Sequence, residues 1–233
     1  AYRNNHYPMK DFPAFQQGYA RYCAFVVGEL KDRVQVWEIW NEPSNFYMRP
    51  AYGGSWNTKE GAGTPWLQRY VDLIIASATA IRKVHPEAVI VAGDVNYPVN
   101  YHMLDILKER GAVDLLDGLV LHVYNFRIPP EVQPWGGPSM NERDGVVVVD
   151  DDHSYASVLR RIREKMTAVG MKTTNLYITE TGYTTFRNGK NVSLQIGMSL
   201  DTQAKYLART FIMNKAYDVQ LSLQYDFVDD SSV

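Results

Sequence analysis

Two short runs constrain this chain more than anything else in it: Trp37-Glu38-Ile39-Trp40-Asn41-Glu42-Pro43 and Leu176-Tyr177-Ile178-Thr179-Glu180-Thr181-Gly182-Tyr183. Each is an apolar, β-prone stretch that closes on a glutamate, and a chain-turning residue, Pro43 or Gly182, stands just beyond. A carboxylate at the C-terminal end of a buried strand is where an α/β barrel places its chemistry. The rest of the sequence has to supply the strands and helices that would hold two such ends on one face.

The hydrophobic pattern supplies them. Asp11 is a helix cap with Pro13 in the first turn, and Phe15, Tyr19, Tyr22, Val26 and Leu30 follow at helical spacing. A strand is predicted over Val34–Trp40. Thr64-Pro65 starts a second helix, whose buried stripe is Leu67, Val71, Ile74, Ala78 and Ile81 and whose end is Pro86. Ala88–Ala92 reads as a strand, about Val99–Arg110 as a helix stopped by Gly111, and Leu119–Leu121 as a strand leading into His122-Val123-Tyr124. An irregular stretch with four prolines, Asn125 to Asp152, separates these from a helix over Ser154–Val169 that Gly170 ends. Leu176–Thr179 is the next strand, Ser199 or Asp201 caps a helix through Ala216, and Val219–Tyr225 is the last strand. Strands apolar on both faces, with a helix between each and the next, make a parallel sheet with right-handed crossovers. No Gly-x-Gly-x-x-Gly follows a strand and no phosphate-binding loop is present, so a dinucleotide fold has no support.

Composition narrows the function classes. The net charge is −2 and no basic stripe runs along any helix, which argues against a nucleic-acid partner. The apolar windows are shorter than a membrane span, so no membrane insertion is expected. One cysteine, Cys23, excludes a disulfide within the chain and is expected as a small core residue. His6, His85, His102 and His153 lack metal-ligand spacing, and neither a metal nor another cofactor is expected. Residues 1–233 show no internal boundary and read as a single domain. With no initiator methionine and no signal peptide, the chain reads as a piece of something longer. Oligomeric state is not legible.

The chemistry follows from the residue types. Cleaving a glycoside needs one proton donor at the leaving oxygen and one carboxylate at the anomeric carbon, which Glu42 and Glu180 can supply. Asn41 is placed to bond a sugar hydroxyl beside the reacting carbon, and Tyr124 to donate to Glu180 and keep it ionised. His122 falls in the same layer and can bond an acid or the sugar. Glu38 shares strand parity with Trp40 and Glu42, so a buried ion pair with a strand outside this chain is expected for it. Trp135, Trp56 and Tyr52 are loop aromatics that can stack on a sugar or pin their own loops. Asp94 and Asn96 follow a strand and are weaker sugar-binding candidates. Asp150-Asp151-Asp152 lacks the spacing of a calcium loop and reads as a solvated helix N-terminus. Asn191-Val192-Ser193 is a glycosylation sequon.

Trp40-Asn41-Glu42-Pro43, His122-Val123-Tyr124 and Thr179-Glu180-Thr181-Gly182-Tyr183, in that order, resemble the clan A retaining glycoside hydrolases. The flanking residues of the first motif are most similar to family 39, with family 5 close behind. Family 39 includes β-xylosidases, α-iduronidases and enzymes cutting bacterial exopolysaccharides. The resemblance implies an α/β fold, a (β/α)8 TIM barrel of which this chain supplies strands 4 to 8, with strands 1 to 3 outside it. It implies Glu42 as general acid/base, Glu180 as nucleophile, Asn41 at the sugar 2-hydroxyl, and His122 and Tyr124 from the sixth strand. The clan usually has a tryptophan at the end of the eighth strand; here the run is Gln224-Tyr225-Asp226-Phe227, and Tyr225 or Phe227 takes that wall. The implied function is hydrolysis of an oligo- or polysaccharide by double displacement. The alternatives are a carbohydrate-binding barrel that has lost catalysis, and a transglycosylase using the same residues. Export to the periplasm or medium is expected, because such enzymes meet their substrates there.

Overall fold

The computed structural model describes residues 11–44, 61–136, 144–185 and 197–226. Tyr52, Trp56, Phe227, His6 and the sequon lie outside the described residues.

Helix α1 (Phe12–Leu30) starts where Asp11 caps it, the carboxylate accepting from Ala14 N at 3.2 Å. Strand β1 is Val36–Glu38 and helix α2 is Pro65–Val84. Helix α2 carries its stripe as predicted: Leu67, Val71, Ile74, Ala78 and Ile81 are all fully buried. Each large apolar side chain so buried contributes about 1.5–3 kcal/mol. Strand β2 (Val89–Asp94), helix α3 (Tyr97–Glu109) and strand β3 (Gly118–Val123) follow. Gly111 ends α3 with φ +62°. Helix α4 (Tyr155–Val169) is capped by Ser154, whose side chain accepts from Ser157 N, and ends at Gly170 in the left-handed region. Strand β4 (Leu176–Thr181), helix α5 (Leu200–Ala216) and strand β5 (Val219–Gln224) complete the described elements. Ser199, not Asp201, caps α5.

All five strands are parallel and pair in chain order, β1-β2-β3-β4-β5, so the sheet is a half-barrel of four βα steps and a final strand. One face packs on the helices through Ile90, Ala92, Leu119, Leu121, Leu176 and Ile178. The other gathers Val91, Val120 and Tyr177, with Val36, Val89 and Leu221 around them. Strands β2 and β3 approach closely at Gly93, where a Cβ would stand 2.0 Å from Val120 O.

The register of β4 shifts near its C-terminal end, against β3 and against β5. Leu121 pairs with Ile178 but His122 pairs with Glu180, so Thr179 is an extra residue in β4. Strand alternation puts Tyr177 and Thr179 on the inner face; the bulge reverses the phase and brings Glu180 there too.

Three expectations need correction. The first strand is shorter than Val34–Trp40: Val34 N still bonds Leu30 O at the helix end, and Trp40 has φ +67°, which no strand residue adopts. The predicted face of α1 holds only in part, with Phe15, Tyr19 and Val26 half-buried. Tyr22 is 60% exposed and Leu30 is exposed, while the buried residues of the helix are Ala20 and Val27. Small residues there let α1 lie close against α2, and the large rings Phe15 and Tyr19 turn aside to pack on Trp40. Cys23 is half-buried at the edge of that packing, and desolvation raises its thiol pKa. The acidic run before α4 is not simply solvated either, because Asp150 is held by Arg160 and Arg161.

Candidate active site

The inner face ends in a cluster at the C-terminal tips of β1, β3 and β4. His122, 2% exposed, sits at its centre. Its Nδ1 donates to Glu42 Oε1 at 2.9 Å and lies 3.6 Å from Glu180 Oε2. Its Nε2 lies 3.1 Å from Thr179 Oγ1 and 3.6 Å from Glu38 Oε1. Within this chain Glu38 of β1 thus meets His122 of β3. Tyr124 donates its hydroxyl to Glu180 Oε2 at 2.6 Å. One oxygen of Glu42, one of Glu180 and a nitrogen of His122 all lie within 4.8 Å of one another.

The electrostatics follow from this crowding. Burial opposes a charge on His122, but the bonds to Glu38 and Glu42 and the charge of Glu180 overcome it and raise its pKa to about 9. The ring is thus an imidazolium near neutral pH, set among the three acidic side chains. Burial, then the bond to Glu180, pushes the Tyr124 phenol far above its usual range, so it remains a donor. Two carboxylates and an imidazole are also a cation's ligand set, but the imidazole nitrogen facing both acids is spent on Glu42. We assign no metal to the cluster.

Backbone strain marks the Glu42 end. Trp40 has φ +67° and Glu42 φ +42°, each non-glycine and left-handed. Such residues cost on the order of 1–3 kcal/mol and persist only where surroundings over-determine them. Tyr19 OH accepts from Trp40 N at 3.1 Å. On the other side, Asp94 is fully buried and accepts from Ser44 N at 2.7 Å and Ser44 Oγ at 2.6 Å. It also accepts from Asn96 N at 2.7 Å, and Asn96 Nδ2 reaches both Asp94 and Ser44 Oγ. Asp94 and Asn96 therefore anchor the turn after Glu42, and Asp94 has no oxygen exposed to a sugar. Sequence reading took Asp94 for a strand-end ligand because the face it points to is invisible without the register. It missed Ser44 and Thr179 for the same reason.

The remaining candidates are more peripheral. Asn41 is exposed and lines a cleft of about 380 Å³ with Tyr19, Glu38 and Trp40. Tyr225 is 54% exposed, bonds Thr181 O through its N–H and raises the Tyr124 pKa by its proximity. Trp135 is 40% exposed on the segment after β3, and among the described residues no hydrogen bond or ring contact joins it to either acid.

No family model matches the sequence, and no curated protein matches it. Solved structures match it in fold. A glucosidase from Croceicoccus marinus superposes with a TM-score of 0.54 at 14% identity, over 88% of this chain and 38% of its own. A GH39 β-xylosidase from Caulobacter crescentus gives 0.51 at 18%, over 90% and 38%. A family 44 xyloglucanase from Paenibacillus polymyxa gives 0.54 at 14%, over 90% and 46%. Family 39 is thus among the similar folds but is not set apart from family 44. The chain spans less than half the length of these structures. At such identities the likeness is one of fold, and the fold is that of a TIM barrel, of which this chain supplies a run of five consecutive strands.

Proposed function

We propose that the chain carries the catalytic face of a retaining glycoside hydrolase acting on an oligo- or polysaccharide. The observation that carries the reading is the spacing of the two acids, with oxygens within 4.8 Å, at the ends of parallel strands. Double displacement uses carboxyl groups about 5–5.5 Å apart, whereas inversion needs about 6.5–9.5 Å to admit a water. The names of the structures similar in fold, a glucosidase, a β-xylosidase and a xyloglucanase, agree with a carbohydrate substrate.

In this reading Glu180 attacks the anomeric carbon. Tyr124 donates to the Glu180 oxygen that is not attacking, which aims the carboxylate. Glu42 protonates the leaving oxygen and then takes a proton from water as the glycosyl-enzyme is hydrolysed. His122 fixes the Glu42 carboxyl from one side and limits the repulsion between the two acids. Asn41 bonds the sugar 2-hydroxyl, and Tyr225 and Trp135 offer aromatic walls.

Exposure of the intact protein to a panel of 2-deoxy-2-fluoro glycosides, followed by intact-mass measurement and peptide mapping, tests this. A single glycosyl adduct on Glu180 is the expected result. An adduct on another residue overturns the role assignment, and a folded protein with no adduct from any sugar overturns the reading for that panel.

A further inference from the structure

Asp94 is a fully buried carboxylate to which the reaction gives no part. Donors from two separate segments converge on it: the amide and hydroxyl of Ser44, and the amide and side-chain nitrogen of Asn96. Asn100 of α3 fixes its main chain, donating to Asp94 O at 2.9 Å. Among the described residues no lysine, arginine or histidine pairs with it. The titratable neighbour that feels its charge is Tyr70 of α2, whose hydroxyl is turned to Ile39 O and Gly93 O; Glu38 of β1 acts on the same phenol. A buried ion without a counter-ion is tolerated only when hydrogen bonds replace its water. Here every such bond holds the β2–α3 turn or the residue two positions after Glu42.

We propose, resting on the role given to Glu42 above, that Asp94 is a positioning residue that holds the acid/base Glu42 in its left-handed conformation by clamping Ser44. The clamp is charge-assisted, and so roughly twice as strong as neutral bonds. It reaches Ser44 from 50 residues away in sequence, while His122 bonds the Glu42 carboxyl itself. With Tyr19 OH holding the Trp40 amide, the backbone is fixed on both sides of the φ +42° residue. Burial raises the Asp94 pKa to about 6 against the pull of the Ser44 and Asn96 bonds, so the clamp loosens as pH falls through that value.

The test compares the intact wild-type protein with Asp94→Asn and Ser44→Ala, using aryl glycosides that differ only in leaving group. Asp94→Asn should slow glycosides of poor leaving groups on the order of 10–100-fold, the scale of a small misplacement of a catalytic group. Dinitrophenyl glycosides, which need no acid in the first step, should lose far less, and the acid limb near pH 6 should vanish. Ser44→Ala, a milder change in case Asp94→Asn does not fold, should show the same pattern with smaller amplitude. Equal loss on all leaving groups, or no loss, overturns the proposal. Hydrogen exchange at the Ser44 amide separates this failure from failure of the glycosidase reading. Protection lost in Asp94→Asn supports the clamp even if no glycoside is turned over, and unchanged protection overturns it.

Discussion

At the scale of residues, the site is three acids arranged about one imidazolium. Glu180→Ala is expected to abolish turnover of every glycoside. Glu42→Ala should spare substrates with good leaving groups in the first step, as steady-state rates across a leaving-group series would reveal. Tyr124→Phe removes the hydroxyl bonded to Glu180 and should lower kcat on the order of 10-fold or more with little change in KM. His122 carries a stability signature. Its pKa rises from 6.5 to about 9 on folding, so its contribution is complete below about pH 6.5 and is lost as pH rises through 9. Thermal melts should therefore fall between pH 6.5 and 9, and His122→Gln should flatten that slope. Much of this was legible in the sequence, because strand-end acids followed by turn residues announce themselves locally. The Asp94 clamp was not. It joins residues 50 positions apart, and whether a strand-end carboxylate faces a sugar or a neighbouring turn depends on parity that one strand does not display.

Among elements, the sequence served best where a helix is amphipathic on its own and least where packing decides. The stripe of α2 and the Ser154 and Gly170 ends of α4 follow from local rules. The face of α1 does not, since a helix with aromatic residues on several sides chooses by what it meets, and α2 selects the small residues Ala20 and Val27. The extra residue at Thr179 has no sequence signal at all, yet it turns Glu180 inward. Gly93 is another consequence of assembly, because only its neighbour strand forbids a side chain there. Gly93→Ala should cost about 3 kcal/mol or more, the upper range for overpacking against unyielding backbone, measured by urea unfolding.

For the molecule as a whole, the parallel order was readable because each strand is apolar on both faces and a helix separates it from the next. The sheet has β1 at one edge and β5 at the other, each paired on one side only among the described residues. Open edges recruit other strands, so a polypeptide of these 233 residues alone is expected to self-associate, as sedimentation would measure. The two edges also lead into candidate site residues. Strand β1, three residues long, carries the chain into Glu42, and Tyr225 leaves β5 beside the partner of Glu180. The outermost strands of the sheet are thus the ones that most need bracing from a neighbour. Under the proposed reading, turnover would report on folding: a chain whose first and last strands lack neighbours is expected to stay silent toward substrate, and the onset of hydrolysis to follow the covering of those two edges.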